Sequence, residues 1–191
     1  MARAAAWRSF DPRRVGAYEC RAWVAYYRKE WATLLGVSVA LVHAGFRMGP
    51  LRTLHGAWLV LRANQRWAPA DNDPDGARRT MERFYRLLAR DSGEALDCAE
   101  AARLEVEWWR AHRAGEQEGL VDALTALYAY LYGSDPAEVR PAAALRAEAM
   151  DVSDRWVAAG CRRPDPMVDE ERSLLVRSYA ALLAAVHRPP P

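Results

Sequence analysis

Lysine and cysteine are scarce in this chain. Lys29 is the only lysine among its 27 basic residues. The three cysteines, Cys20, Cys98 and Cys161, are far apart and form neither a CxxC pair nor a Cys/His zinc spacing. This argues against a disulfide framework and a structural zinc site. A reduced, cytoplasmic protein is therefore expected.

Long apolar runs are also missing. The longest, residues 31–46, is interrupted by three polar residues and is shorter than the roughly 20 residues that a membrane span needs. It predicts a buried helix, with a membrane-associated segment as the alternative because basic residues flank it. The first ten residues are not followed by the apolar region of a secretory signal. No stable membrane insertion is expected.

The chain has no large excess of charge of either sign. Its net charge is +2, so bulk electrostatics give no reason to expect a nucleic-acid partner. Hydrophobic residues make up 51% of the 191 residues, enough to build the core of one soluble domain. This composition is compatible with a small-molecule ligand and with a homo-oligomer.

Apolar residues recur at helical spacing, and no segment alternates as a strand would. The pattern predicts a single all-α domain over residues 1–191, a bundle of six to seven helices with an N-terminal arm (1–10) and a frayed tail (188–191). The predicted helices cover residues 12–43 or beyond, 51–67, 77–90, 98–116, about 120–131, a sixth from about 141, and a seventh ending near 186. In the second of these, the apolar stripe is Leu51, Leu54, Trp58 and Leu61.

The fourth predicted helix carries an acid and an imidazole on its apolar face. At about 100° per residue, Glu105, Trp108 and His112 fall in one narrow stripe, with Trp109 beside it. A buried carboxylate or imidazole is costly unless it is paired, hydrogen-bonded or bound to a metal. These two side chains therefore mark a candidate site.

The first predicted helix has a similar inward face. Glu19, Trp23, Tyr26 and Glu30 share one side of it, and the two glutamates lie in line about three turns apart. If the first and fourth predicted helices pack side by side, Glu19 and Glu30 join the acid and imidazole of the fourth in one seam. Aromatic side chains of both helices would wall that seam.

Three interpretations of this seam remain open. One is a site for iron or another divalent metal between helices, as in carboxylate-bridged proteins. No ExxH or ExxxH occurs, and Glu105 and His112 are about 10 Å apart, so no motif implies a cofactor and a metal stays unassigned. A second is metal-free acid/base catalysis by a glutamate and His112 in an apolar pocket. No GxSxG nucleophile motif points to a particular reaction.

The third interpretation is a structural network of buried ion pairs. His55, Arg62 and Arg66 lie along one edge of the second predicted helix and could reach the inward glutamates. We favour a small-molecule-processing enzyme, with a non-catalytic binding or assembly protein as the alternative. The candidate catalytic residues are Glu19, Glu30, Glu105 and His112. The candidate ligand-binding residues are Trp23, Tyr26, His55, Arg62, Arg66, Trp108 and Trp109.

Two further charged patterns are assigned to solvent. Four arginines form a stripe opposite the apolar face of the third predicted helix: Arg79, Arg83, Arg86 and Arg90. Acidic residues dilute this stripe and no exposed aromatic residue is interleaved with it, which favours a solvated face over a nucleic-acid surface. Asp154 lies opposite the apolar face of the sixth predicted helix, so it is expected to point to solvent.

Overall fold

The computed structural model describes residues 6–188, and every regular element in that range is helical. After a 3₁₀ turn, η1 (Ala6–Arg8), come α1 (Pro12–Tyr27), α2 (Trp31–Phe46), α3 (Pro50–Trp67), α4 (Pro74–Ser92), α5 (Cys98–Ala114), α6 (Gln117–Tyr132), α7 (Pro136–Ala158) and α8 (Pro166–Val186). The all-α prediction is confirmed, whereas six to seven helices was too few for these residues. Most of the predicted frayed tail, residues 189–191, and the first five residues of the predicted arm lie outside the described residues.

Aspartate starts most of the helices. Asp11, Asp73, Asp135 and Asp165 each precede a proline at the first helical position, and each carboxylate accepts a hydrogen bond from a first-turn N–H. Asp97 caps α5 in the same way without a proline. The aspartate side chain accepts a hydrogen bond from a first-turn N–H that has no partner within the helix. Proline is tolerated at the first helical position because the N–H that it lacks would be unpaired there in any case. These caps fix where the helices begin.

Two predicted boundaries are wrong. The first predicted helix is in fact two, α1 and α2, because the chain turns between them and Lys29 takes a left-handed φ of 57°. No glycine or proline marks that turn in the sequence. The predicted sixth helix starts earlier than residue 141, because the Asp135 cap begins α7 and Pro141 is accommodated inside it.

The eight helices form a closed ring. Each packs chiefly against the helices before and after it in the chain, and α8 packs back against α1. Short connections between helices favour antiparallel neighbours. The ring encloses a central cavity that all eight helices line. α1 and α5 therefore stand on opposite sides of the cavity, so the side-by-side packing on which a common seam depended does not occur.

The N-terminal segment closes one end of the ring. Arg8 donates to the carbonyl of Tyr132 at the end of α6 and pairs with Glu94 at 3.3 Å. The ring of Trp7 packs on that of Tyr132 at 5.1 Å between centroids, and Phe10 reaches the cavity wall. Access to the cavity is therefore expected at the other end.

The apolar stripe predicted for α3 faces outward. Leu51, Leu54 and Trp58 are 82%, 53% and 50% exposed, and only Leu61 of that stripe is buried. The side of α3 that packs on the core carries the larger Leu59, Leu61 and Trp67 together with small residues: Thr53, Gly56, Ala57 and Ala63. The stripe prediction is therefore wrong for three of its four residues.

Within residues 6–188, no single helix is long and apolar enough to cross a membrane. α2 and α3 reach that length and apolarity only when taken together, and their axes are bent by 120° at the junction.

The contact between α1 and α8 gives a direct test of ring closure. A Cβ on Gly16 would lie 2.7 Å from the backbone nitrogen of Val176, so Gly16→Ala forces the two helices apart. We expect a loss of about 1–3 kcal/mol in the free energy of unfolding, measured in urea. The matched control is Gly36→Ala in α2, where the new Cβ meets nothing within 4 Å. That change should stabilise by about 0.5–1 kcal/mol. Equal gains in both variants would contradict the α1–α8 contact.

Candidate functional site

The candidate site is the cavity at the centre of the ring. Its volume is about 480 Å³, within the range of about 300–1,000 Å³ typical of small-molecule pockets. Much of its wall is aromatic, including Phe46, Phe84, Trp67, Trp109 and Tyr132. Such a wall excludes water from a bound molecule and strengthens the electrostatic interactions inside.

Seven of the sequence-predicted site residues line this cavity: Glu19, Trp23, Tyr26, Glu105, Trp108, Trp109 and His112. The first three come from α1 and the others from α5, so they face each other across the cavity instead of along one seam. Their proposed roles in catalysis and binding remain predictions.

The other four predicted residues lie elsewhere. Glu30 sits in the turn between α1 and α2, where it pairs with Arg28 at 2.6 Å. It does not line up with Glu19, because the predicted long helix is broken there. His55 and Arg62 are exposed on α3, and Arg66 donates to residues in the first turns of α4. The structure therefore assigns none of these three as a partner of an inward glutamate.

The partner of Glu19 is Arg146 on α7, a residue that is not among the predicted site residues. The two side chains form an ion pair and are only 5% and 10% exposed. Arg146 also donates to the hydroxyl of Tyr128 at 3.2 Å, and its guanidinium lies 4.8 Å from the ring centroid of Trp108. One signal was available in the sequence. Arg146 lies four residues from the apolar positions 142 and 150, both of which are buried.

Part of this ion pair is left without hydrogen bonds. Oε2 of Glu19 and Nε of Arg146 are buried and have no partner among the described residues. Buried polar atoms without partners are uncommon in folded proteins because they lose the hydrogen bonds they made with water. Both residues border the cavity, but these two atoms have almost no accessible surface, so they are unsatisfied groups within its wall and not open contacts for a bound molecule.

Glu105 is the second carboxyl group of the cavity. It accepts hydrogen bonds from the hydroxyl of Tyr85 at 2.6 Å and from Nε1 of Trp108 at 3.2 Å, and no arginine or histidine of the described residues forms an ion pair with it. Burial raises the pKa of Glu105, although the Tyr85 hydrogen bond and the charge of Arg146 act in the opposite direction. A carboxyl group of this kind can take up and release a proton nearer to neutral pH than an exposed one.

Tyr85 stays a donor to this carboxyl group. Burial and the nearby charge of Glu105 raise the pKa of Tyr85 well above its ordinary value. Its hydroxyl therefore remains protonated across the physiological range. The hydrogen bond fixes the orientation of Glu105 toward the cavity wall.

His112 lies at the rim of the cavity. Its Nε2 is 3.0 Å from Oδ2 of Asp154 on α7, and the two side chains are 22% and 54% exposed. Asp154 is exposed, as predicted, but it also borders the cavity. This end of the ring is the one opposite η1. His112 is two helical turns, about 10 Å, from Glu105, so the two cannot act on the same atom of a ligand.

The site offers no evident metal centre. Among residues 6–188, no group of three or more His, Cys, Asp and Glu side chains is placed to hold a metal ion. Comparisons of the chain with protein-family models, with curated proteins and with solved structures give no match. The function is therefore inferred from the geometry and chemistry of the cavity.

Proposed function

We propose that this protein is a small-molecule enzyme that works by acid/base chemistry. Its central cavity binds a largely apolar molecule, and Glu105 exchanges a proton with that molecule. The observation that carries the proposal is the position of Glu105, a half-buried carboxyl group in the aromatic wall of the cavity without a paired cation.

The surrounding residues suit such a proton transfer. A carboxylate shielded from water is a stronger base than one in solvent, because its charged form is less stable. The ring of Trp108 connects the two charged groups, since its N–H donates to Glu105 and its face lies under Arg146. Arg146 would stabilise negative charge that develops on the substrate as the proton leaves.

The alternative is a non-catalytic binding or assembly protein. The Glu19–Arg146 ion pair favours it, because charge compensation alone explains why these two groups lie inside. In that case the cavity would hold a ligand, or only stabilise the fold, without chemistry at Glu105.

The test uses 5-nitrobenzisoxazole, a flat bicyclic probe. A base removes its C3 proton while the N–O bond opens, and the product is a coloured phenolate. We expect the protein to accelerate this reaction about 100-fold or more over free acetate at equal concentration. The rate should rise with pH as Glu105 ionises, and it should fall to background in Glu105→Gln.

The matched control is Glu107→Gln. Glu107 is on the same helix, but its side chain is 47% exposed and pairs with Arg110, so its loss should leave the rate unchanged. Quenching of tryptophan fluorescence by the probe reports binding separately. Binding without Glu105-dependent turnover would support the non-catalytic alternative. If the probe shows neither binding nor turnover, the cavity is not a site for such a ligand and the proposal is overturned.

A further inference from the structure

The outer side of α3 exposes large apolar side chains that nothing in the ring covers. Leu51, Leu54 and Trp58 are the large hydrophobic residues that stand exposed in the described part of the chain. Their spacing of three and four residues puts them on one face of the helix. Exposed apolar groups collected on one face indicate a surface that binds something apolar.

The charges of the segment that carries this face have one sign, although one of its arginines, Arg52, pairs with Asp91 of α4 at 2.6 Å. Residues 31–67 contain no aspartate, glutamate or lysine, and their four arginines give the segment a charge of +4, against +2 for the whole chain. Arg62 lies beside the apolar residues, with its guanidinium 5.8 Å from the ring centroid of Trp58. The hairpin of α2 and α3 is therefore the basic, apolar part of an otherwise slightly acidic protein.

The neighbouring helix α4 extends the positive charge. Arg79, Arg83 and Arg90 lie on its outer side, are exposed, and form no ion pair with another described residue. α3 and α4 pack directly against each other. We call Leu51, Leu54, Trp58, Arg62, Arg79, Arg83 and Arg90 together the basic apolar face.

We propose that the basic apolar face docks onto the surface of an anionic lipid bilayer. Interfacial helices bind membranes by sinking leucine and tryptophan side chains to the boundary of the acyl chains, while arginines contact the lipid phosphates. The face provides both groups side by side. The ring would lie on the membrane and not cross it.

Other partners fit this face less well. In a symmetric dimer the face would meet its own copy, and arginines would oppose arginines. The acidic residues beside the face, Glu82 and Asp91, are already paired with Arg86 and Arg52. A nucleic acid would neutralise the arginines but has no apolar region for two exposed leucines. A bilayer with anionic headgroups satisfies the charge and the apolar residues together.

The test is sedimentation of the full chain with vesicles. We expect binding to phosphatidylcholine vesicles containing about a quarter phosphatidylglycerol, weak binding to pure phosphatidylcholine, and release at high salt. Combining Leu51→Ser with Trp58→Ser should lower the partition coefficient about tenfold or more. Since both side chains are exposed, the circular dichroism spectrum and melting temperature should be retained.

Charge variants distinguish binding through the basic apolar face from a general electrostatic attraction of the protein to anionic vesicles. Arg79→Gln with Arg83→Gln should weaken binding to the anionic vesicles and reduce its dependence on salt. The matched control, Arg13→Gln with Arg177→Gln, removes the same charge from exposed positions on α1 and α8 and should change binding much less. Equal losses in the two pairs, or no preference for anionic lipid, would overturn the proposal. The proposal would also be overturned if the protein binds no vesicles and instead forms a dimer that Leu51→Ser and Trp58→Ser dissociate. A second copy of the chain would then cover the face.

Discussion

Replacing Arg146 with methionine is expected to lower the free energy of unfolding by about 3–5 kcal/mol at neutral pH. The reason is the charge that would remain. Glu19 is 4% exposed and pairs with Arg146, so the variant leaves a buried carboxylate without a cation. The contact of the guanidinium with the Trp108 ring is lost as well. Since domains of this kind are stable by about 5–15 kcal/mol, this is a large fraction of the total.

A second substitution shows whether charge is the cause. Glu19→Gln in the Arg146→Met background removes the stranded carboxylate, so the double variant should be more stable than Arg146→Met alone. Urea denaturation of the four proteins of this cycle measures the coupling. Arg155→Met is the control on the same helix, because Arg155 is 55% exposed in its ion pair with Asp151 and its loss should change stability little. A double variant no more stable than the single one would show that Arg146 acts by aromatic packing and not by charge.

The parts of the site that the sequence predicts are those with strong local signals. The face of α5 is clear because apolar residues recur at helical spacing and charged residues occupy the other side, so Glu105 and His112 are placed toward the interior. The Asp11-Pro12 pair shows where α1 begins, since the cap and the proline act within one turn of the chain. Such signals depend on neighbouring residues alone.

The parts that the sequence does not predict depend on tertiary packing. Lys29 turns the chain at a residue type that rarely adopts a left-handed φ, so Glu30 was assigned to the wrong helix. α7 is rich in alanine, so its buried side is broad, and the spacing of four residues between Arg146 and the buried positions 142 and 150 is only a weak signal that Arg146 points inward. On α3, large apolar residues lie on both sides. Leu59, Leu61 and Trp67 are buried, whereas Leu51, Leu54 and Trp58 are exposed. Apolar spacing alone therefore does not identify the side of α3 that faces the core.

Glu171 on α8 is a second buried carboxyl group, outside the cavity. It is fully buried, its Oε2 accepts a hydrogen bond from Ser153 at 2.6 Å, and its Oε1 has no partner among the described residues. No described residue forms an ion pair with it. Burial raises its pKa from the ordinary value of 4.5 to about 7, although the hydrogen bond from Ser153 and the nearby thiol of Cys20 act in the opposite direction.

This pKa makes stability depend on pH. The folded state binds the Glu171 proton more tightly than the unfolded chain, so the stabilisation is fully present below about pH 4.5 and is lost as pH rises through about 7. The loss between those limits should be about 3 kcal/mol. Because Glu105 also has a raised pKa and contributes in the same direction, the wild-type curve alone cannot assign the effect to Glu171.

The contribution of Glu171 is isolated by comparing the pH dependence of the free energy of unfolding of wild type with that of Glu171→Gln. Glutamine keeps the shape of the side chain and an acceptor for Ser153 but does not ionise, so the variant should lose much less stability than wild type between pH 5 and pH 8. Glu170→Gln, at the exposed neighbouring position, should follow the wild-type curve. Urea denaturation in steps of pH at constant ionic strength measures all three proteins. Parallel curves for wild type and Glu171→Gln would mean that Glu171 titrates alike in the folded and unfolded chain, which its burial without a cation does not allow.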